Sequence, residues 1–240
     1  MIPLDSKYQL STAVLILTLN EIDGIREILP QIDKSWAEEI VVIDGGSTDG
    51  TVEEAKKMGF PVIIQKNPGH GDAIVTGVNA TKSDNILIFG PDGNHEPVEI
   101  PRLIEKIKEG YDQVLISRFG KGSKNYDAVG IKGKLVDYFG NKMFAFLVNV
   151  FFGGNWTDSL NESRIITRKA FDELNFDSLQ MGSTQLMSIR GLKRQQKICE
   201  LIGNEGARIG GKRKMRPLHV GSDLSKQILS EFFNWNNFKR

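Results

Sequence analysis

Short apolar runs and amphipathic stretches alternate through the first 117 residues. Residues 13–19, 39–43, 62–65, 85–89 and 112–117 are rich in branched aliphatic side chains with little polar alternation. That is the pattern of strands covered on both faces. Between them, residues 21–29, 51–58, 72–80 and 97–109 follow helical spacing. In the last of these Ile100, Leu103, Ile104 and Ile107 fall on one face, and Pro97 suits a first turn. Such β-α alternation predicts an α/β fold built on a doubly wound, mostly parallel sheet, whose ligands bind beyond the carboxyl ends of the strands.

Beyond Arg118 the rhythm loosens. Residues 120–133 read as a mobile loop, 134–152 as a strongly apolar helix, 164–167 as a short strand, 183–193 as a helix and 199–202 as a last strand. A very basic loop follows, then an amphipathic helix over residues 222–238. With no internal repeat or low-complexity linker, a single domain over 1–216 with a helical, basic extension over 217–240 is expected. The longest apolar run, residues 143–152, contains Asn149 and is half the ~20 residues a spanning helix needs.

Charge changes this picture in one respect. Residues 1–120 hold 11 Lys/Arg against 19 Asp/Glu, a net of −8, whereas residues 121–240 hold 20 against 11, a net of +9. Carboxylates suited to a metal-assisted site thus lie in the first half, and cations suited to an anionic partner or surface lie in the second. One cysteine, Cys199, permits no internal disulfide, and His70, His95 and His219 are too dispersed for a zinc site by spacing. A reducing, cytoplasmic setting is expected, since the N-terminus carries no secretory pattern.

The unusual residues collect where the strands end. Asp44-Gly-Gly-Ser-Thr-Asp-Gly-Thr51 joins a buried strand to a helix, with glycines that let backbone approach a ligand and Ser47, Thr48 or Asp49 available as a cap. Asn67-Pro-Gly-His-Gly71 is no dinucleotide fingerprint, because Ile74 stands at the third glycine. The segment from Gly206 to Lys212 has Walker A spacing, but Arg213 replaces the magnesium-binding Ser or Thr, which excludes a P-loop. Five of the nine residues 208–216 are Lys or Arg, and no aromatic residues interleave with them to support a nucleic-acid contact.

Leu17-Thr-Leu-Asn-Glu21, the 44–51 turn, Asn67-Pro-Gly-His-Gly-Asp-Ala73, Pro91-Asp-Gly-Asn94, Ser117-Arg118 and Arg208-Ile-Gly-Gly-Lys-Arg-Lys214 together resemble family 2 inverting glycosyltransferases of the GT-A fold. The branch they are most similar to is that of dolichol-phosphate mannose synthase and the polyprenyl-phosphate glycosyltransferases. The resemblance covers residues 10–216 and implies roles for particular residues. Leu19, Glu21, Asp44, Gly46, Ser47, Asp49, Asn67, Gly69, Gly71, Asp72 and Pro91 would line a UDP- or GDP-linked sugar. Asp92 would bind a divalent cation, Mg²⁺ or Mn²⁺, with Asn94 as a shorter replacement for a glutamine ligand; Gly90 stands where relatives carry a first carboxylate. Asp158 and Arg164 match the family's Asp-x-x-Ser-Gly-Phe-Arg segment, although Asn161-Glu-Ser163 replaces its centre. Arg118, Arg208 and Lys214 would hold acceptor or diphosphate oxygens.

By that resemblance the activity is transfer of a hexose from a nucleotide diphosphate sugar to a lipid phosphate, with inversion and with the protein peripheral on the cytoplasmic membrane face. Two alternatives stand beside it. Transfer to a saccharide hydroxyl would need a base, which relatives carry on a helix matching residues 183–193; here that helix has no Asp or Glu. The loss of a carboxylate at Gly90 also fits a non-catalytic nucleotide-sugar-binding protein. Homo-oligomerisation is left open.

Overall fold

The computed structural model describes residues 10–124, 130–176, 182–210 and 217–234. In chain order the elements are β1 (Thr12–Thr18), α1 (Ile22–Ile28), β2 (Glu39–Asp44), α2 (Thr51–Lys57), β3 (Val62–Ile64), α3 (His70–Ala80), β4 (Asn85–Phe89), α4 (Glu99–Ile107) and β5 (Gln113–Ser117). There follow α5 (Gly130–Phe152), β6 (Arg164–Thr167), α6 (Arg168–Glu173), α7 (Ser183–Lys193), β7 (Ile198–Ile202) and α8 (Pro217–Phe233). The seven strands form one sheet in the order β3-β2-β1-β4-β6-β5-β7.

Alternation along each strand divides the core into two layers. Val14, Ile16, Val42, Leu87, Phe89 and Ile116 meet Ile25 and Ile28 of α1, Ala55 of α2 and Ile100, Leu103, Ile104 and Ile107 of α4. Ala13, Leu15, Leu17, Ile43, Ile86 and Ile88 meet Ala73, Ile74 and Val78 of α3, Phe171 of α6 and Met187 of α7. Each such aliphatic burial contributes about 1.5–3 kcal/mol, which is why the strand runs lack polar alternation. A third cluster joins Phe144, Ala145, Val148 and Phe152 of α5 to Ile189 of α7 and Leu224 and Ile228 of α8.

Six strands share one direction, as expected. The exception is β6, which pairs antiparallel with both β4 and β5. Its amino-terminal end, Arg164, therefore lies opposite Ile88 and Leu115, at the same rim as the carboxyl ends of the other strands.

Four expectations need correction. The segment 120–133 is not all loop, because α5 begins at Gly130; once the apolar half has nucleated, each further residue adds a backbone hydrogen bond, and this carries the helix back despite the glycines. The C-terminal helix starts at Pro217, not at 222, with proline tolerated in its first turn; residues 235–238 of its expected range lie outside those described. Helix α6 was not foreseen; it is one short segment capped by Thr167, whose Oγ1 accepts from the Ala170 amide at 3.1 Å. Helix α3 starts two residues early, at His70.

Candidate active site

The turns after β1 and β2 are tied to each other. Asp44, fully buried, accepts from the Gly46 and Ser47 amides at 2.8 and 2.7 Å and from the Thr18 and Ser47 hydroxyls at 2.9 and 2.5 Å. The Ser47 hydroxyl in turn accepts from the Asn20 amide at 2.7 Å, and Asn20 Oδ1 accepts from the Thr48 amide at 2.8 Å. Asp49 takes the Ile22 amide at 3.1 Å and both donors of Thr51. Burial pushes the Asp49 carboxyl up, but the Thr51 bonds outweigh it and hold it below its ordinary range. Asp44 and Asp49 thus shape the rim; their carboxylates face the loop's own donors.

The turn before α3 is organised in the same way. Asp72 accepts from the Asn67 amide and side chain at 2.9 and 3.0 Å, and these bonds hold its pKa down. Leu19 is exposed at the end of β1, and Gly46 and Gly69 have positive φ angles of 91° and 120°, where a β-carbon would be strained. Gly71 is buried in the first turn of α3.

After β4 the chain passes through Gly90-Pro91-Asp92-Gly93-Asn94. Helix α1 packs so closely here that a β-carbon on Gly24 would overlap the Pro91 carbonyl. Asp92 Oδ1 accepts from the Asn94 amide at 3.1 Å, and Oδ2 accepts from Arg208 Nη1 at 2.6 Å. The other end of the Arg208 fork pairs with Glu21 at the start of α1. Backbone bonds from Gly206 to Asn94 and from Ile209 to Asp92, 2.9 and 2.7 Å, lay residues 206–209 across the turn. Burial, and next the nearby Glu162 carboxylate, raise the Asp92 pKa; His95 and Arg208 pull against this.

Glu162 reaches the site from the segment leading into β6. Its Oε2 lies 2.9 Å from His70 Nε2, and His70 Nδ1 lies 2.5 Å from the Ser183 hydroxyl at the start of α7. Burial raises the Glu162 pKa, but the His70 hydrogen bond and charge outweigh it and the carboxyl sits below its ordinary value. Behind the turn, buried His95 lies 3.4 Å from Glu99 Oε2; burial opposes its protonation, and the Glu99 carboxylate overcomes this and raises its pKa.

Arg118 is not turned to the rim opening. Its fork holds buried Asp158 at 2.7 and 3.1 Å, Glu205 at 2.7 Å and Asn141 at 3.4 Å. Burial pushes the Asp158 carboxyl up, and Arg118 more than reverses it. Arg164 is fully buried on the Asn161 carbonyl and the Ser188 hydroxyl, and desolvation lowers its pKa to about 10.

Of the expected site residues, the structure brings Glu21, Asp92 and Arg208 into one cluster, puts Asn94 beside it through its backbone, and gives Arg118 internal partners. Lys214 lies outside the described residues. Spacing did not single out His70 or Glu162 as site residues. The visible signal was the glycine at 90 together with the glutamate at 162, two departures that only the fold shows to be neighbours.

The sheet order, with one antiparallel strand entering between parallel ones above a carboxylate-bearing turn, defines a GT-A-type architecture. A glucosyl-3-phosphoglycerate synthase from Mycobacterium tuberculosis, crystallised with Mn²⁺, UDP and glucosyl-3-phosphoglycerate, shares it with a TM-score of 0.66 and 22% identity, over 97% of this chain and 82% of that one. The family model for glycosyl transferase family 2 matches residues 13–174, and the chain belongs to that family. The dolichyl-phosphate hexose transferase of Haloferax volcanii is 28% identical over 219 residues, 90% of this chain and 92% of that protein. Glycosyltransferase AglJ of the same organism is 28% identical over 185 residues, 77% of this chain, which spans only 59% of AglJ.

Proposed function

We propose that the chain is a glycosyltransferase that moves a hexose from a UDP- or GDP-linked sugar to a polyprenyl or dolichyl phosphate, with inversion at the anomeric carbon. The observation that carries this is the meeting of Asp92, Glu21 and Arg208 at the carboxyl end of β4, an acid-and-guanidinium cluster fit for a diphosphate and its counter-ion. The full-length similarity to a dolichyl-phosphate hexose transferase supports the lipid-phosphate acceptor.

A phosphate acceptor is ionised at neutral pH, so the protein's work is placement and charge neutralisation, not proton removal. Arg208 supplies a planar fork that matches phosphate oxygens. Lys214, six positions on in the sequence, adds a second cation to this reading. Arg118 acts here through the segment 158–162, which it anchors by Asp158, and not on substrate. In this reading the loops after β1, β2 and β3, with Gly46, Ser47, Asn67 and Gly69, would form the nucleotide face beside Glu21.

Among the described residues no group of three His, Cys, Asp or Glu side chains is arranged to hold a metal unaided. Mg²⁺ or Mn²⁺ sites on phosphate substrates, however, take one or two carboxylates and complete themselves with phosphate oxygens and water. Beside Gly90 the place of a β-carbon is taken by Glu162 Oε1, with Asp92 Oδ1 3.9 Å from that place, so two carboxylates border this position and the donor set fits. Such a cation, when bound, neutralises charge on the departing nucleotide diphosphate.

Among the described residues no helix is long and apolar enough to cross a membrane. Phe139, Met143, Phe146 and Val150 nevertheless form an exposed stripe along α5, continued by Leu229, Phe232 and Phe233 of α8. We infer that this face rests on the bilayer that holds the acceptor.

Transfer to a saccharide hydroxyl has one observation in its favour, the Glu162 carboxylate held by His70 at the site, since α7 carries no acid. The test is radiolabelled transfer from UDP- and GDP-hexoses to a short polyprenyl phosphate and, in parallel, to simple sugars. Product on the lipid phosphate alone supports the proposal. Product on sugars alone, or none with either acceptor, overturns it.

A further inference from the structure

Position 90 follows β4 directly and carries no side chain, yet the space beside it is filled. A β-carbon built there would fall well inside van der Waals contact of Glu162 Oε1, 3.3 Å from that residue's carboxyl carbon and 3.9 Å from Asp92 Oδ1. The carboxylate thus sits where the first atoms of a side chain at 90 would be, facing Asp92. It arrives there because β6 runs against the sheet and brings residues 158–163 to the carboxyl-end rim. The segment is fixed from both sides. Arg118 grips Asp158, Asn161 donates to the Ile116 carbonyl at 2.7 Å, and His70 holds the second Glu162 oxygen at 2.9 Å.

We propose that Glu162 is the protein's second carboxylate for a divalent cation, paired with Asp92 across the side-chain-free Gly90. This rests on the nucleotide-sugar reading above and names the residue that reading lacked. Two carboxylates held face to face repel each other, and a shared cation removes that cost. His70, by holding Oε2, orients Oε1 toward Asp92, as carboxylate ligands are commonly oriented by a second hydrogen bond. The glutamate is longer than an aspartate and starts from the segment ahead of β6, and the missing β-carbon at 90 is the condition for its entry.

The experiment is Mn²⁺ binding to the full chain by electron paramagnetic resonance of the free ion, with and without UDP or GDP. Nucleotide binding in chelator is measured by calorimetry alongside. Glu162→Gln is expected to weaken Mn²⁺ binding at least about tenfold, with nucleotide binding in chelator unchanged. Gly90→Ala keeps the glutamate but displaces its carboxylate, and should lower Mn²⁺ affinity to a similar degree. The exchange Gly90→Asp with Glu162→Gly should recover most of the binding, and melting temperatures confirm that each variant is folded. If Glu162→Gln binds Mn²⁺ as the wild type does, or if the wild type binds nucleotide but no Mn²⁺, the proposal is overturned. If the wild type binds neither UDP nor GDP, it is the nucleotide-sugar reading that fails, a result distinct from loss of the cation alone.

Discussion

Asp92 and Arg208 form the most consequential pair at the scale of single residues. Asp92→Asn keeps shape and the bond to the Asn94 amide but removes a charge at the end of β4. Transfer is expected to fall by about 100-fold or more, with an unchanged circular dichroism spectrum; near-native turnover at saturating Mn²⁺ would remove Asp92 from the site. Arg208 is the counter-ion of both Asp92 and Glu21. Charge-assisted bonds of this kind are worth about 1.5–3 kcal/mol, so Arg208→Ala should lower kcat/KM by about 10- to 100-fold. Arg208→Lys should recover only part of it, since a point charge cannot reproduce the fork. Steady-state transfer by the two variants reads both effects.

At the scale of elements, α5 and α8 divide their faces between core and solvent. Phe144, Ala145, Val148 and Phe152 are buried against α7 and α8, while Phe139, Met143, Phe146 and Val150 on the opposite face are about half to two-thirds exposed. Replacing Phe139 and Phe146 by Ser should therefore leave the melting temperature within a few degrees, because exposed side chains contribute little to stability. The same change should reduce co-sedimentation with anionic liposomes several-fold. Liposome binding equal to wild type would place the membrane contact elsewhere. By contrast, Val148→Ala, on the buried face, should cost about 1–2 kcal/mol in denaturant unfolding.

For the whole molecule, the ion pair between Arg118 and Asp158 links β5 to the segment ahead of β6. Asp158 is fully buried and its carboxyl is held below the usual 3.8. A carboxylate with a lower pKa folded than unfolded adds stability above its unfolded value, and loses it as the pH falls through its folded one. Wild-type melting temperature should thus decline on acidification below about pH 4. Asp158→Asn leaves Arg118 paired with Glu205, so it should be destabilised at neutral pH by only about 1.5–3 kcal/mol, for the lost charge-assisted bonds, and should show a shallower acid limb. Scanning calorimetry from about pH 6 to about pH 3 measures both. An acid limb of equal slope in the two proteins would mean that other carboxylates set it.

The apolar runs at β1, β2, β4 and β5 and the turns that follow them were legible from the sequence, because a strand buried on both faces leaves no room for polar alternation, and a tight turn at a ligand rim demands glycine and short polar residues. Asp92 and Arg208 could be singled out because each stands in a segment that resembles a family motif. What the linear chain could not show is direction and proximity. That β6 enters antiparallel depends on its fit between β4 and β5, a pairing of segments about 50 to 80 residues apart, and local preference does not encode it. Only that reversal carries Glu162 to Gly90 and His70 to Glu162, and only the packing of residues 157–205 around Arg118 turns its guanidinium inward. The sequence determined which residues could do chemistry at the rim; the tertiary structure decided which carboxylates meet there, because electrostatic interaction depends on distance through space and not on distance along the chain.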